Sequence, residues 1–72
     1  METLHWGRRV KAFRKLKGYT QIQFAKKVGV SVSLVGEVER GIRMPSQELL
    51  NRATQVLGIS LEELQPLENN KG

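Results

Sequence analysis

The chain contains no cysteine, no aspartate, a single histidine (His5) and only two prolines. Without cysteine it has neither a disulfide staple nor a thiolate zinc site. One histidine does not assemble a metal centre, so no metal or other cofactor is expected. No nucleophile–base pair and no phosphate loop stand in the sequence, so an enzyme is not expected either. No apolar run approaches the roughly 18 residues that a membrane span requires. The opening stretch METLHWGRRV lacks the long apolar segment of a secretory signal. These absences suit a reducing cytoplasm and give no reason to expect a membrane partner.

What is present is one small domain. The chain has 72 residues, 39% of them hydrophobic, enough for a single core. The formal charge is +5, with a sequence pI near 10.1. Its distribution is uneven. Residues 1–43 carry ten bases (Arg8, Arg9, Lys11, Arg14, Lys15, Lys17, Lys26, Lys27, Arg40 and Arg43) against Glu2, Glu37 and Glu39, a net +7. Residues 44–72 carry Arg52 and Lys71 against four glutamates, a net −2. A positive field attracts and steers polyanions, although the same charges also serve a merely solvated face.

The periodicity is helical throughout, and the expected fold class is all-α. A first helix is predicted over 4–17, with Trp6, Val10 and Phe13 on one face and Gly18 at its end. This register makes Trp6 a core residue and leaves His5 on the surface. Thr20-x-x-Gln23 is a capping box that opens a second helix with Phe24, Ala25 and Val28 inward. Gly29 ends it, Ser31 caps a third helix with Val35 and Val38 inward, and Gly41 closes that one. Pro45-Ser46 starts a fourth, with Leu49, Leu50, Ala53 and Leu57 inward and Gly58 at its end. Ser60-x-x-Glu63 opens a short fifth, with Leu61 and Leu64 inward, stopped by Pro66. One domain is expected over 1–68, followed by a polar tail at 69–72.

The second and third helices are joined by almost no loop, so they must cross steeply, at roughly 90–120°. Ala25 is small where they meet, Gly29 tolerates a positive φ, and Val35 plugs the angle from the other side. At this point the segment from Trp6 to Leu64, about four-fifths of the chain, resembles the helix-turn-helix domain of lambda-repressor and Cro-like regulators, the XRE family. The resemblance rests on "RKLKGYTQ", "FAKKVGVS", "VGEVERG", "PS" and "LGISLEEL", in that order and spacing. It implies a compact five-helix fold whose second and third helices bind double-stranded DNA, and transcriptional regulation, most often repression, without catalysis.

In that architecture the third helix enters the major groove, its N-terminal residues against base edges. Those positions are Val32, Ser33, Gly36 and Glu37. Ser33 suits several bases, Val32 a thymine methyl, and Glu37 a cytosine amino group. Glu37 departs from relatives that carry a basic or amide side chain there. It either reads a base or pairs internally with Arg40 at i, i+3. Gly36 either lets the backbone approach DNA closely or reflects drift. The resemblance further implies phosphate contacts at Gln21, Ser31, Arg40 and Arg43, while Arg9, Lys26 and Lys27 are more simply read as solvated. It also implies a partly buried Arg14–Glu39 pair joining the first and third helices. Such regulators usually act as dimers. Ile42, Met44, Val56 and Leu67 are apolar beyond the core's need, and suggest a two-fold contact through the loop after the third helix and the fourth and fifth helices. The rival reading is a protein-interaction module of the same fold, an antitoxin or an adaptor with a regulatory partner protein.

Overall fold

Five helices form in the order that the caps and periodicities predict: α1 (Glu2–Leu16), α2 (Gln21–Val28), α3 (Val32–Glu39), α4 (Gln47–Leu57) and α5 (Leu61–Leu64). The computed structural model describes residues 2–66, with side chains from residue 5 onward. Leu67 and the expected tail at 69–72 lie outside the described residues. No strand occurs among those that are described.

The helix starts are built locally. Thr20 Oγ1 accepts from the amide of Gln23 at 3.0 Å, while the Thr20 amide donates to Gln23 Oε1 at 2.9 Å. Ser60 and Glu63 repeat that reciprocal box at 3.0 and 2.9 Å. Ser31 and Ser46 cap α3 and α4 through single bonds of 3.1 Å from Leu34 and Leu49. Each such cap satisfies an otherwise orphaned amide and contributes about 1 kcal/mol.

The corner between α2 and α3 follows from Gly29, whose φ of 90° lies in the left-handed region. That turn lets the amides of Gly29 and Val30 converge on the Ala25 carbonyl, at 2.8 and 3.0 Å. The chain thereby reverses over three residues and delivers Ser31 as the next cap. Ala25 and Val35 are buried behind the corner, as their sizes require.

The core gathers α2, α3 and α4 around Phe24, Val38 and Leu57, with Leu64 of α5 fully enclosed below. Two expectations are corrected here. Leu61, expected inward, is 38% exposed, because a helix of four residues can turn only one leucine fully into the core. Val56, expected as spare apolar surface, packs half-buried against the core's edge.

The buried face of α1 is also rotated from its apolar stripe. Trp6 and Phe13 are half-buried, and the line of closest contact runs through Gly7, Val10 and Arg14, at i, i+3 and i+7. Gly7 is the reason α1 can lie so near α3. A Cβ at that position would stand 2.1 Å from the Val38 carbonyl oxygen and 2.9 Å from that of Glu39. Both obstacles are backbone, so neither can swing aside. An exposed mid-helix glycine replaced by alanine gains about 1 kcal/mol of stability. Here the sign reverses: Gly7→Ala is expected to lose about 3 kcal/mol or more, as overpacking against backbone does, measured as a fall in the urea midpoint of unfolding.

Candidate nucleic-acid interface

α3 is held from behind by a buried ion pair. Arg14 Nε donates to Glu39 Oε2 at 2.6 Å and Nη2 donates to Oε1 at 3.0 Å, a two-pronged arrangement on residues that are each only 6% exposed. The third guanidinium nitrogen, Nη1, donates to the Tyr19 carbonyl at 2.8 Å. Glu39 Oε1 also accepts from Gln21 Nε2 at 2.9 Å. One carboxylate thus ties the ends of α1 and α3 to the first residue of α2. Burying two charges is costly unless their donors and acceptors are met, and here they are. The expected Arg14–Glu39 pair is present. Gln21, expected to face phosphate, turns one amide N–H inward to this pair.

The outward side of α3 is a stripe. Ser33, Gly36, Glu37 and Arg40 follow one another at i, i+3, i+4 and i+7, opposite the buried Val35, Val38 and Glu39. Val32, at the helix's N-terminal end, is 40% exposed, and Ser33 is exposed beside it. Ser31 is exposed as well, its oxygen engaged in the cap and its hydroxyl hydrogen directed by whatever lies outside. The N-terminal turn of α3, with no acidic residue in it, is therefore open to a polyanion.

Two sequence expectations on this stripe are corrected. Glu37 does not pair with Arg40. Its Oε1 accepts from Arg43 Nε at 2.7 Å. The loop beyond Gly41 folds back so that the amides of Ile42 and Arg43 both donate to the Glu37 carbonyl, at 2.9 and 3.3 Å. Arg43 is thereby placed over the carboxylate and offsets its charge. Gly36, which was to allow close backbone approach or else reflect drift, is buried. The guanidinium of Arg40 lies across it, with Nη1 3.0 Å from where a Cβ would stand.

The other cations sort themselves by what they hold. Arg9 donates to the carbonyls of Leu64 (3.5 Å) and Glu63 and rests over the Phe13 ring, 5.3 Å from its centroid, so it secures α5 to α1. Arg52 bridges Glu48 at 2.7 Å and donates to the Val28 carbonyl at 3.4 Å at the end of α2. Lys27 sits 5.9 Å over the Tyr19 ring, while Lys26 is exposed. Of the expected dimer residues, Ile42 is 68% and Met44 45% exposed. Sequence reasoning passed over Gly7 and the Tyr19 carbonyl. An unexplained glycine inside an otherwise regular helix was the available signal for the first; nothing local announced the second. Among the described residues, no group of metal-ligating side chains gathers, and no helix is long and apolar enough to cross a membrane.

A sequence model of the helix-turn-helix family matches residues 10–64, which spans all of α2 to α5 and the second half of α1. The chain belongs to the XRE-like helix-turn-helix family. This family's members are DNA-binding transcriptional regulators. Within it, the chain is 59% identical over 68 residues to the uncharacterized HTH-type transcriptional regulator YazB of Bacillus subtilis (strain 168), covering 94% of this chain and 99% of that one. It is 37% identical over 59 residues to the HTH-type transcriptional regulator SinR of the same organism, where the match covers 81% of this chain but 53% of SinR. Among solved structures, the restriction-modification controller protein C.AhdI from Aeromonas hydrophila superposes with a TM-score of 0.82 at 34% identity, over 86% of this chain and 94% of that one. SinR, described as the master regulator for biofilm formation and solved in complex with DNA, superposes with a TM-score of 0.78 at 37% identity, over 82% and 95%.

The clamp behind α3 yields a test of how this helix-turn-helix is held. Glu39→Ala strands the Arg14 guanidinium in the interior and is expected to cost about 3–5 kcal/mol. The apolar double replacement Arg14→Met/Glu39→Leu is expected to recover most of that loss. Equilibrium urea unfolding of the three proteins measures both.

Proposed function

We propose that the chain binds double-stranded DNA sequence-specifically as a transcriptional repressor, with α3 in the major groove and two copies on an inverted repeat. The observation that carries this reading is the contrast between the two sides of α3. One side is clamped by the Arg14–Glu39 pair, and the other bears Val32, Ser33 and Glu37 toward solvent. A helix that exposes small polar and apolar groups at its N-terminal end, on a domain whose first 43 residues carry a net +7, suits a groove lined by phosphate. SinR, alike in fold and sequence over most of this chain, has been solved with DNA.

Each side chain then has a role. Val32 packs on a thymine methyl, Ser33 bonds a base edge, and Glu37 accepts from a cytosine amino group. A carboxylate near phosphate needs a counter-cation, and Arg43 supplies one at 2.7 Å. The N-terminal end of α2, the remaining amide N–H of Gln21 and Ser31 hold the backbone phosphates. The dimer forms through the loop after α3, where Ile42 is 68% exposed.

Selection from a random duplex pool tests the whole reading. An inverted repeat is expected, with half-sites about one helical turn apart. Affinity for the selected site is expected to fall about 10³- to 10⁵-fold between 50 and 200 mM salt, as phosphate neutralisation requires. A chain that selects no sequence, and whose duplex binding ignores salt, is instead the protein-interaction module. For the interface, Ile42→Glu is expected to shift sedimentation toward the monomer and to remove preference for the repeat over a single half-site.

A further inference from the structure

We infer that Arg40 is a base-reading residue, specific for guanine, and that Gly36 is the seat that positions its guanidinium for that task. The inference rests on the DNA-binding reading above and assigns one further contact within it. Arg40 follows α3 as its C-cap, with φ −85° and ψ −3°, so it continues the helical path by one residue. It therefore completes the outward stripe with Ser33, Gly36 and Glu37 at the i+7 position. Long side chains on a helix lean toward its N-terminus. The Arg40 side chain does so here, and its Nη1 comes to lie 3.0 Å from where a Cβ of Gly36 would stand. The charged end is thus carried back one turn, from the end of the helix to the middle of the face that a groove would meet.

Its bonding state supports the same role. Apart from the exposed Arg8 on α1, the other arginines (Arg9, Arg14, Arg43 and Arg52) each donate side-chain N–H groups to protein acceptors. Arg40 makes no side-chain hydrogen bond or ion pair with another described residue, although Glu37 stands on the same stripe; Arg43 occupies that carboxylate instead. What remains is a planar group whose N–H donors are unspent on described residues, with Nη1 and the guanidinium carbon 3.0 and 3.9 Å from where a side chain at Gly36 would begin. A guanidinium so placed matches the O6 and N7 acceptors of guanine in two parallel bonds, the commonest specific contact in the major groove. An arginine serving phosphate needs no seat and gains nothing from being drawn toward the helix centre.

Selection from a random duplex pool, run on wild type, Arg40→Ala, Gly36→Ala and the double variant, tests the assignment. Wild type is expected to enrich guanine at one position in each half-site. Arg40→Ala should relax that position alone, reducing discrimination there by about 5- to 150-fold, with the slope of affinity against salt unchanged. Gly36→Ala should relax the same position, because its Cβ displaces the guanidinium, while its melting temperature rises through better helix propensity. In the Arg40→Ala background Gly36→Ala should change the selected sequence no further. The assignment is overturned if Arg40→Ala weakens all sequences uniformly and lowers the salt slope by about one, the mark of a phosphate contact. It is equally overturned if Gly36→Ala leaves the guanine preference whole. A wild type that selects nothing fails at the earlier step, in the DNA-binding reading itself, and takes this assignment with it.

Discussion

A single carboxylate, that of Glu39, organises the domain. It takes two bonds from Arg14 and one from Gln21, while Arg14 spends its remaining arm on the Tyr19 carbonyl. Every participant is matched, so the burial of charge is tolerable; it is not thereby a large source of stability. What the network supplies is geometry. α1, the turn before α2, the first residue of α2 and the last of α3 share one set of directional bonds, and none can shift without leaving a buried donor bare. Hydrophobic contacts alone would allow α3 to roll by a fraction of a turn at little cost. A two-pronged guanidinium–carboxylate pair does not.

That constraint explains how a helix of eight residues can be held rigidly in place. α3 by itself is far too short to persist in water. Its cap at Ser31, its apolar back at Val35 and Val38 and the tether at Glu39 hold it at three heights along its length. The outward stripe is then free to vary in chemistry without risk to the fold. Within that stripe the charges are already sorted. Arg43 balances Glu37, while Arg40 rests on Gly36 with its donors unspent. Two arginines farther from the stripe have structural duties: Arg9 holds α5 against α1, and Arg52 closes the end of α2.

The fold was legible in the sequence because its punctuation is local. Thr20 with Gln23 and Ser60 with Glu63 lie within one turn of each other, and Gly29 needs only its own φ to set the corner. Exposure on α3 was legible from position along the helix, as with Val32 and Ser33, and the buried pair of Arg14 with Glu39 through family resemblance. Side-chain pairing was illegible where partners are chosen by the path of the chain. Arg40 and Arg43 both lie near Glu37 in sequence, at i+3 and i+6. The shorter spacing suggests the pair, but the loop's return brings the longer one into contact and leaves Arg40 lying along the helix. The buried side of α1 was misread for a related reason. A pattern scored by hydrophobicity discounts glycine and arginine, and those two residues, Gly7 and Arg14, lie at its centre.

Gly7 has an electrostatic effect distinct from packing. The peptide units of α3 sum to a partial negative charge at its carboxyl end, concentrated on its last carbonyls. Those of Val38 and Glu39 are the oxygens that face Gly7 across the α1–α3 contact. The missing methyl group allows α1 to cover them, so the pole that repels anions is turned into the body of the molecule while the attracting pole, at Ser31, stays outside. A glycine in α1 thus helps to keep the negative end of α3 covered, leaving its positive end the exposed one.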